Sequence, residues 1–267
     1  MSIAAKLRNT GLVLAMSGLC LGGAALAGGS AADMPAPADD ALSASGAIAQ
    51  DVPMVLPDPV VLELYTSQGC VACPPADEIF SVIAEQPGVL ALALHVDYWD
   101  YLGWKDAFSR PEFTDRQRRY AKAANSRMVY TPEVIVAGTD RIQGTEAAAI
   151  AEAIAIHSTM SPKIELDALR DDQGWVEIGA RALVPLEGPV RVHLVHYLPE
   201  QHVRIERGEN EGREMVYRNI VTSWTTIGEW TGKEALAMRI HSDPRQKVAV
   251  IMQKPGPGAV MAAARVD

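Results

Sequence analysis

The chain has 267 residues, 48% of them hydrophobic and 21% charged, which is globular composition and excludes a largely disordered or fibrous protein. At about 150 residues per domain, that length allows one large domain or two ordinary ones. The net charge of -9, with no basic aromatic patch, excludes a nucleic-acid backbone as partner.

Lys6 and Arg8 precede an apolar run from Gly11 to Leu26 that ends in Ala25-Leu26-Ala27. A basic start, a short apolar middle and an A-x-A site predict a secretory signal peptide over residues 1–27. The run falls short of the roughly 20 apolar residues of a membrane span, and Gly18, Gly22 and Gly23 interrupt it. Cys20 follows Leu19 rather than a small residue, which argues against a lipid anchor there. The expected destination is the periplasm or the exterior, with no membrane contact after signal removal. Residues 28–59 hold Ala, Ser, Gly, Pro and Asp without an aromatic residue. They bury too little apolar area to offset their ordering entropy and read as a disordered leader or tether.

Val60 to Tyr65 is a short apolar and β-branched run, predicting a buried strand. After a turn at 66–69 come Cys70 and Cys73, the only cysteines left once the signal is removed. Pro74 and Pro75 then suit the first turn of a helix, Asp77 and Glu78 suit its positive end, and Ile79, Val82 and Ile83 give it an apolar face. Amides at a helix start favour a thiolate. Cys70, the outer thiol, is therefore the expected nucleophile, and Cys73, one turn into the helix, resolves the mixed disulfide. A structural disulfide is the competing interpretation. A metal site is disfavoured because no second CxxC and no HxxxH exists.

Val89 to Val96 predicts a second buried strand, and Ser109 with Glu112 a capping box opening a helix through Ala124. Val129-Tyr130-Thr131-Pro132 leads into a strand over 133–137, and a closing helix spans 146–157. The order β-α-β-α-β-α predicts parallel pairing through crossovers. From Lys163 the period becomes 2. A hairpin turning at 171–174, then strands at 190–197, 203–207, 215–224, 235–240 and 247–253, predict a β-sandwich-like region over 161–267.

Glu63 is the acid in the first strand, placed to take the proton that Cys73 sheds if it is buried there. A core hydrogen bond or a solvent-facing carboxylate would be the blander role. Tyr98, Trp99 and Trp104, near His95, Asp97 and Asp100, stand at the sheet edge where ligands bind and could form a substrate wall. Arg116, Arg118, Arg119 and Lys122 read as a solvated helix face. Glu209-Asn210-Glu211-Gly212 reads as a hairpin loop.

A CxxC at the first strand-to-helix turn followed by Thr131-Pro132 resembles the thioredoxin fold. The strings 63–70, 73–77, His95 to Trp104 and 130–132 more specifically resemble a bacterial secreted family catalogued as domain of unknown function 1223. The resemblance implies an α/β thioredoxin-like domain over 60–158 followed by a C-terminal all-β sandwich-like domain. It further implies that Pro132 is cis and that Thr131 offers its backbone to an extended substrate segment. Relative to thioredoxin, the cysteines enclose Val71-Ala72, and about sixteen residues from Trp99 onward are inserted.

The functional expectation is a periplasmic or secreted thiol–disulfide oxidoreductase. It would act on a protein disulfide through a mixed disulfide on Cys70, with an unidentified redox partner and no metal or organic cofactor. With no cation between the cysteines and a negative chain, a strongly oxidising poise is disfavoured. The alternatives are a binding protein with a structural disulfide, and a copper chaperone using Cys70, Cys73 and His95.

Overall fold

The computed structural model describes residues 58–266. The predicted signal peptide, Cys20 and residues 28–57 of the tether lie outside the described residues. Strand β1 (Val60–Thr66) is buried along its length, as expected for an apolar run covered on both faces. Its alternation sorts side chains into two cores. Leu62 and Leu64 pack with Phe80 and Ile83 of α1 (Pro74–Ala84) and with Ile150 of α3 (Ala147–Ser158). Val61 and Tyr65 pack with Phe113 and Tyr120 of α2 (Pro111–Ala123) on the opposite face. Burying each such side chain contributes roughly 1.5–3 kcal/mol. β2 (Val89–His95) pairs with β1 in parallel, from Val60 opposite Val89 to Thr66 opposite His95.

The local predictions shift where proline or the chain return decides. α1 starts at Pro74 with Cys73 as its N-cap, so Cys73 stands at the mouth of the helix rather than one turn inside. α2 starts at Pro111, whose fixed φ suits the first helical position. The capping box from Ser109 does not form, and the Ser109 hydroxyl donates to Asp100 instead. β3 (Glu133–Val136) pairs with β1 antiparallel, Tyr65 opposite Glu133. A crossover through α2 alone would make this pair parallel. Residues 124–132 instead carry the chain from α2 back to the end of β1, so β3 starts there and runs the other way. β4 (Asp140–Gln143), absent from the sequence prediction, extends the sheet as a hairpin with β3.

In the second half, β5 (Ile164–Arg170) and β6 (Trp175–Ala182) form the predicted hairpin, joined by β9 (Leu236–His241) into a three-stranded sheet. β7 (Val190–Arg204) and β8 (Glu214–Trp230) are long strands of 15 and 17 residues, and β10 (Lys247–Gln253) and β11 (Val260–Val266) flank them. These strands do not build a separate sandwich. β8 meets β2 in parallel, Ala93 opposite Ile220, and a single mixed eight-stranded sheet results, ordered β11-β10-β7-β8-β2-β1-β3-β4. Asn219 takes a left-handed φ of 48° beside this junction, and its amide donates to Ala91 O at 2.9 Å.

The expected α/β thioredoxin-like domain followed by an all-β domain is therefore corrected. The described structure is mostly β, 43% strand and 19% helix with three α-helices, and the large mixed sheet runs through both halves. The physical reason is an edge: β2 without a second neighbour would end the sheet, and the 17-residue β8 is long enough to meet it at Ala93 and Ile220 while still pairing with β7. Periodicity reports strands, not their neighbours.

Candidate functional site

Cys70 and Cys73 are joined by a disulfide between the end of β1 and the start of α1, with Cα atoms 5.4 Å apart. The loop is a chain of turns: Cys70 N–H donates to Ser67 O, Cys73 N–H to Cys70 O, and Asp77 N–H to Cys73 O. The accessible part of the motif is not sulfur. Val71 is 61% exposed, whereas Cys70 is 2% and Cys73 0% exposed, so the expected outward-facing Cys70 is covered in this oxidised form.

Three segments make the cover. The Thr131–Pro132 bond is cis, and the Thr131 hydroxyl lies 3.2 Å from Cys70 Sγ, to which it donates. Trp99 donates its indole N–H to that hydroxyl at 2.7 Å. Trp99 also crosses Gly69 so closely that a Cβ at 69 would meet the Trp99 Cβ at 3.2 Å. From the turn after β7, Asn210 donates its amide to both Gln68 O and Cys70 O at 2.9 Å. In the sequence Asn210 reads as a hairpin-loop residue, and it does lie between the paired strands β7 and β8. An amide 140 residues away reaches the cysteine loop only because β7 and β8 join the first sheet.

Of the expected substrate wall, Trp99 lies over the loop, while Trp104 donates to Gln68 Oε1 at 2.7 Å and thereby braces it. Tyr98 packs beside Trp99 and donates to Gln117.

Glu63 sits on the α2 face of β1. Arg116 grips it with two nitrogens at 2.7 and 2.8 Å, and Tyr65 and Tyr120 donate their hydroxyls to it. Arg116 is thus buried as a counter-ion rather than part of a solvated face. α1, and with it Cys73, packs against the opposite face of the strand.

The acid on the Cys73 side is Asp77, one helical turn after Cys73 and buried with it. Its carboxylate accepts from Thr66 Oγ1 at 3.1 Å. Burial pushes its carboxyl from the ordinary 3.8 up to about 7, with His95 and the Thr66 bond pulling the other way. In the sequence Asp77 reads as a helix-start acid, and only the packing of α1 on β1 turns it inward.

His95 is fully buried and bonds Asp106 through Nδ1 at 2.7 Å. Burial lowers its pKa, but the charge and hydrogen bond of Asp106 outweigh that and the net shift is upward. Asp106 also accepts the Gln68 N–H, so the dyad holds the same loop from behind. Asp97 pairs with Thr114 rather than with His95. Among the described residues no three His, Cys, Asp or Glu side chains group as metal ligands.

A family model described as "Protein of unknown function (DUF1223)" matches residues 61–253. The chain belongs to this family. A crystal structure of a protein from Agrobacterium tumefaciens is similar to it at 29% identity and a TM-score of 0.68, covering 78% of this chain and 94% of that one. HBP35 of Porphyromonas gingivalis shares the fold alone, at 11% identity and a TM-score of 0.56, over 79% of this chain and 75% of that one. No curated protein matches. The DUF1223 assignment carries no activity, and among the described residues no helix is long and apolar enough to cross a membrane.

Proposed function

We propose that this DUF1223 protein is an exported thiol–disulfide oxidoreductase whose partner is a protein disulfide. In the reducing direction, the Cys70 thiolate attacks one substrate sulfur and expels the other as a thiolate. Cys73 then attacks Cys70 Sγ, releasing the second substrate thiolate and closing the Cys70–Cys73 disulfide. Two electrons pass to the substrate, and Asp77 takes the proton that Cys73 sheds. The oxidising direction is the reverse sequence. The observation that carries this reading is the disulfide at the amide-rich mouth of α1 with the Thr131 hydroxyl 3.2 Å from Cys70 Sγ. Asp77, buried on the Cys73 side and titrating near 7, suits the proton step better than Glu63, which is engaged by Arg116.

A second reading has its own observation. Both sulfurs are buried, as in a disulfide that only staples a binding protein. Exchange therefore requires the Trp99–Thr131 cover to open. The discriminating experiment reduces the native protein with dithiothreitol and pulses it with iodoacetamide near pH 6, alongside insulin reduction and partner trapping by Cys73→Ser. One fast-labelled thiol at Cys70 together with trapped mixed disulfides supports exchange. A native disulfide that resists reduction, with no insulin turnover and no trapped partner, rejects it in favour of the staple.

A further inference from the structure

A cleft of about 270 Å³ opens on the α2 face, lined in part by Arg116, Arg119, Arg191, His193, Trp224 and Lys254. Its chemistry is independent of the cysteines. The lining holds four cations and one carboxylate, Glu112, in a chain whose net charge is -9. Glu63 beneath the floor balances Arg116, whose guanidinium also lies 3.7 Å from the centroid of the Trp224 ring. Among the described residues, Arg191 is tied only to a half-exposed Glu229, at 3.2 Å, and Lys254 only to the exposed Glu187. Such rim pairs are worth about 0–1 kcal/mol and yield readily to a ligand. Arg119 has no carboxylate partner among the described residues.

His193 lies in the same lining. Burial and the charge of Arg116 hold its imidazole down to about 4, with Arg191 and Arg119 adding to the depression and Glu63 opposing it. The Trp224 ring lines the cleft beside these cations and gives it an apolar wall.

From this clustering we propose that the cleft binds a small organic polycarboxylate, held by the Arg119 and Arg191 guanidiniums and by Lys254 at the rim. Guanidinium forks pair with carboxylate and tetrahedral oxyanions alike, but several separate cations and the apolar walls of Trp224 and Phe113 favour an anion with a carbon skeleton and more than one carboxylate over a bare inorganic ion. The volume lies just below the usual range of roughly 300–1,000 Å³ for ligand pockets, so the ligand is small.

The test titrates the oxidised protein with citrate and succinate at low salt, with sulfate as the tetrahedral anion and glycerol as the neutral control. Binding is read by calorimetry and by tryptophan fluorescence. Citrate should saturate with a Kd below about 1 mM, and its fluorescence response should vanish in Trp224→Phe. Arg119→Gln and Arg191→Gln should each weaken binding about tenfold. Arg118→Gln, an exposed arginine on the same helix outside the cleft, should bind as wild type does. Circular dichroism confirms that each variant is folded. The proposal is overturned if neither carboxylate saturates by about 10 mM, a weakness beyond useful small-ligand affinity. It is equally overturned if sulfate binds as tightly as citrate, or if the Arg119 and Arg191 variants bind unchanged.

Discussion

Replacing Asp77 with Asn tests the inward-facing acid most directly. Asn keeps the shape and can still accept the Thr66 hydroxyl, but it removes the titration. The native carboxyl is held near 7 instead of the ordinary 3.8, so the folded protein keeps a proton that the unfolded chain releases. A raised folded pKa means its contribution is fully present below about 4, is lost as pH climbs through 7, and is flat beyond. At roughly 1.4 kcal/mol per pH unit, the ceiling on that loss is about 4 kcal/mol. Relaxation and water entry reduce it, yet even half is visible against a total stability of about 5–15 kcal/mol. Urea unfolding of the oxidised wild type and Asp77→Asn at pH 5, 6, 7 and 8 measures the difference with the cysteines silent. The variant should gain on the wild type steadily from pH 5 to pH 7 and then hold its advantage. A stability difference that stays constant across the series would refute the buried, proton-holding Asp77.

Two further outcomes follow from the contacts around the site. Arg116→Met strands the buried Glu63 carboxylate and should cost about 3–5 kcal/mol in thermal melts, whereas Glu63→Gln combined with Arg116→Met should recover much of that; a double variant no better than the single one would contradict the pairing. Asn210→Ala removes two bonds to the carbonyls of Gln68 and Cys70 and should destabilise by roughly 1–3 kcal/mol. It should also speed reduction of the disulfide by dithiothreitol, and an unchanged rate would remove Asn210 from the cover.

What the residues disclosed by themselves was local. The strand before Cys70, the helix after Cys73 and the 171–174 hairpin follow from apolar period, proline placement and turn chemistry, all of which act within a few residues. What the residues did not disclose is non-local. No period in β8 announces that Ile220 will lie beside Ala93, and nothing at Asn210 points to a carbonyl 140 residues earlier. The surroundings of Glu63 and Asp77 are hidden for the same reason. An acid in an apolar strand is conspicuous and an acid in a first helical turn is ordinary, but which one shares a core with Cys73 depends on which sheet face α1 covers.

That dependence bears on how exchange would be controlled. Thiolate stabilisation at a helix mouth sets how well Cys70 attacks once it is reached. Here reach itself is restricted, because the oxidised pair is nearly sealed and its cover is assembled from the segment after β2, the turn before β3 and the β7–β8 turn. When opening and closing are fast relative to attack, the rate scales with the population of the opened state. Each kcal/mol of bonding in the cover then slows exchange about fivefold without altering the sulfur chemistry. On the proposed function, the C-terminal strands, which hold the cysteine loop through Asn210, would help to set the rate, and a partner protein able to engage Trp99 or the β7–β8 turn would gain access that a small thiol lacks.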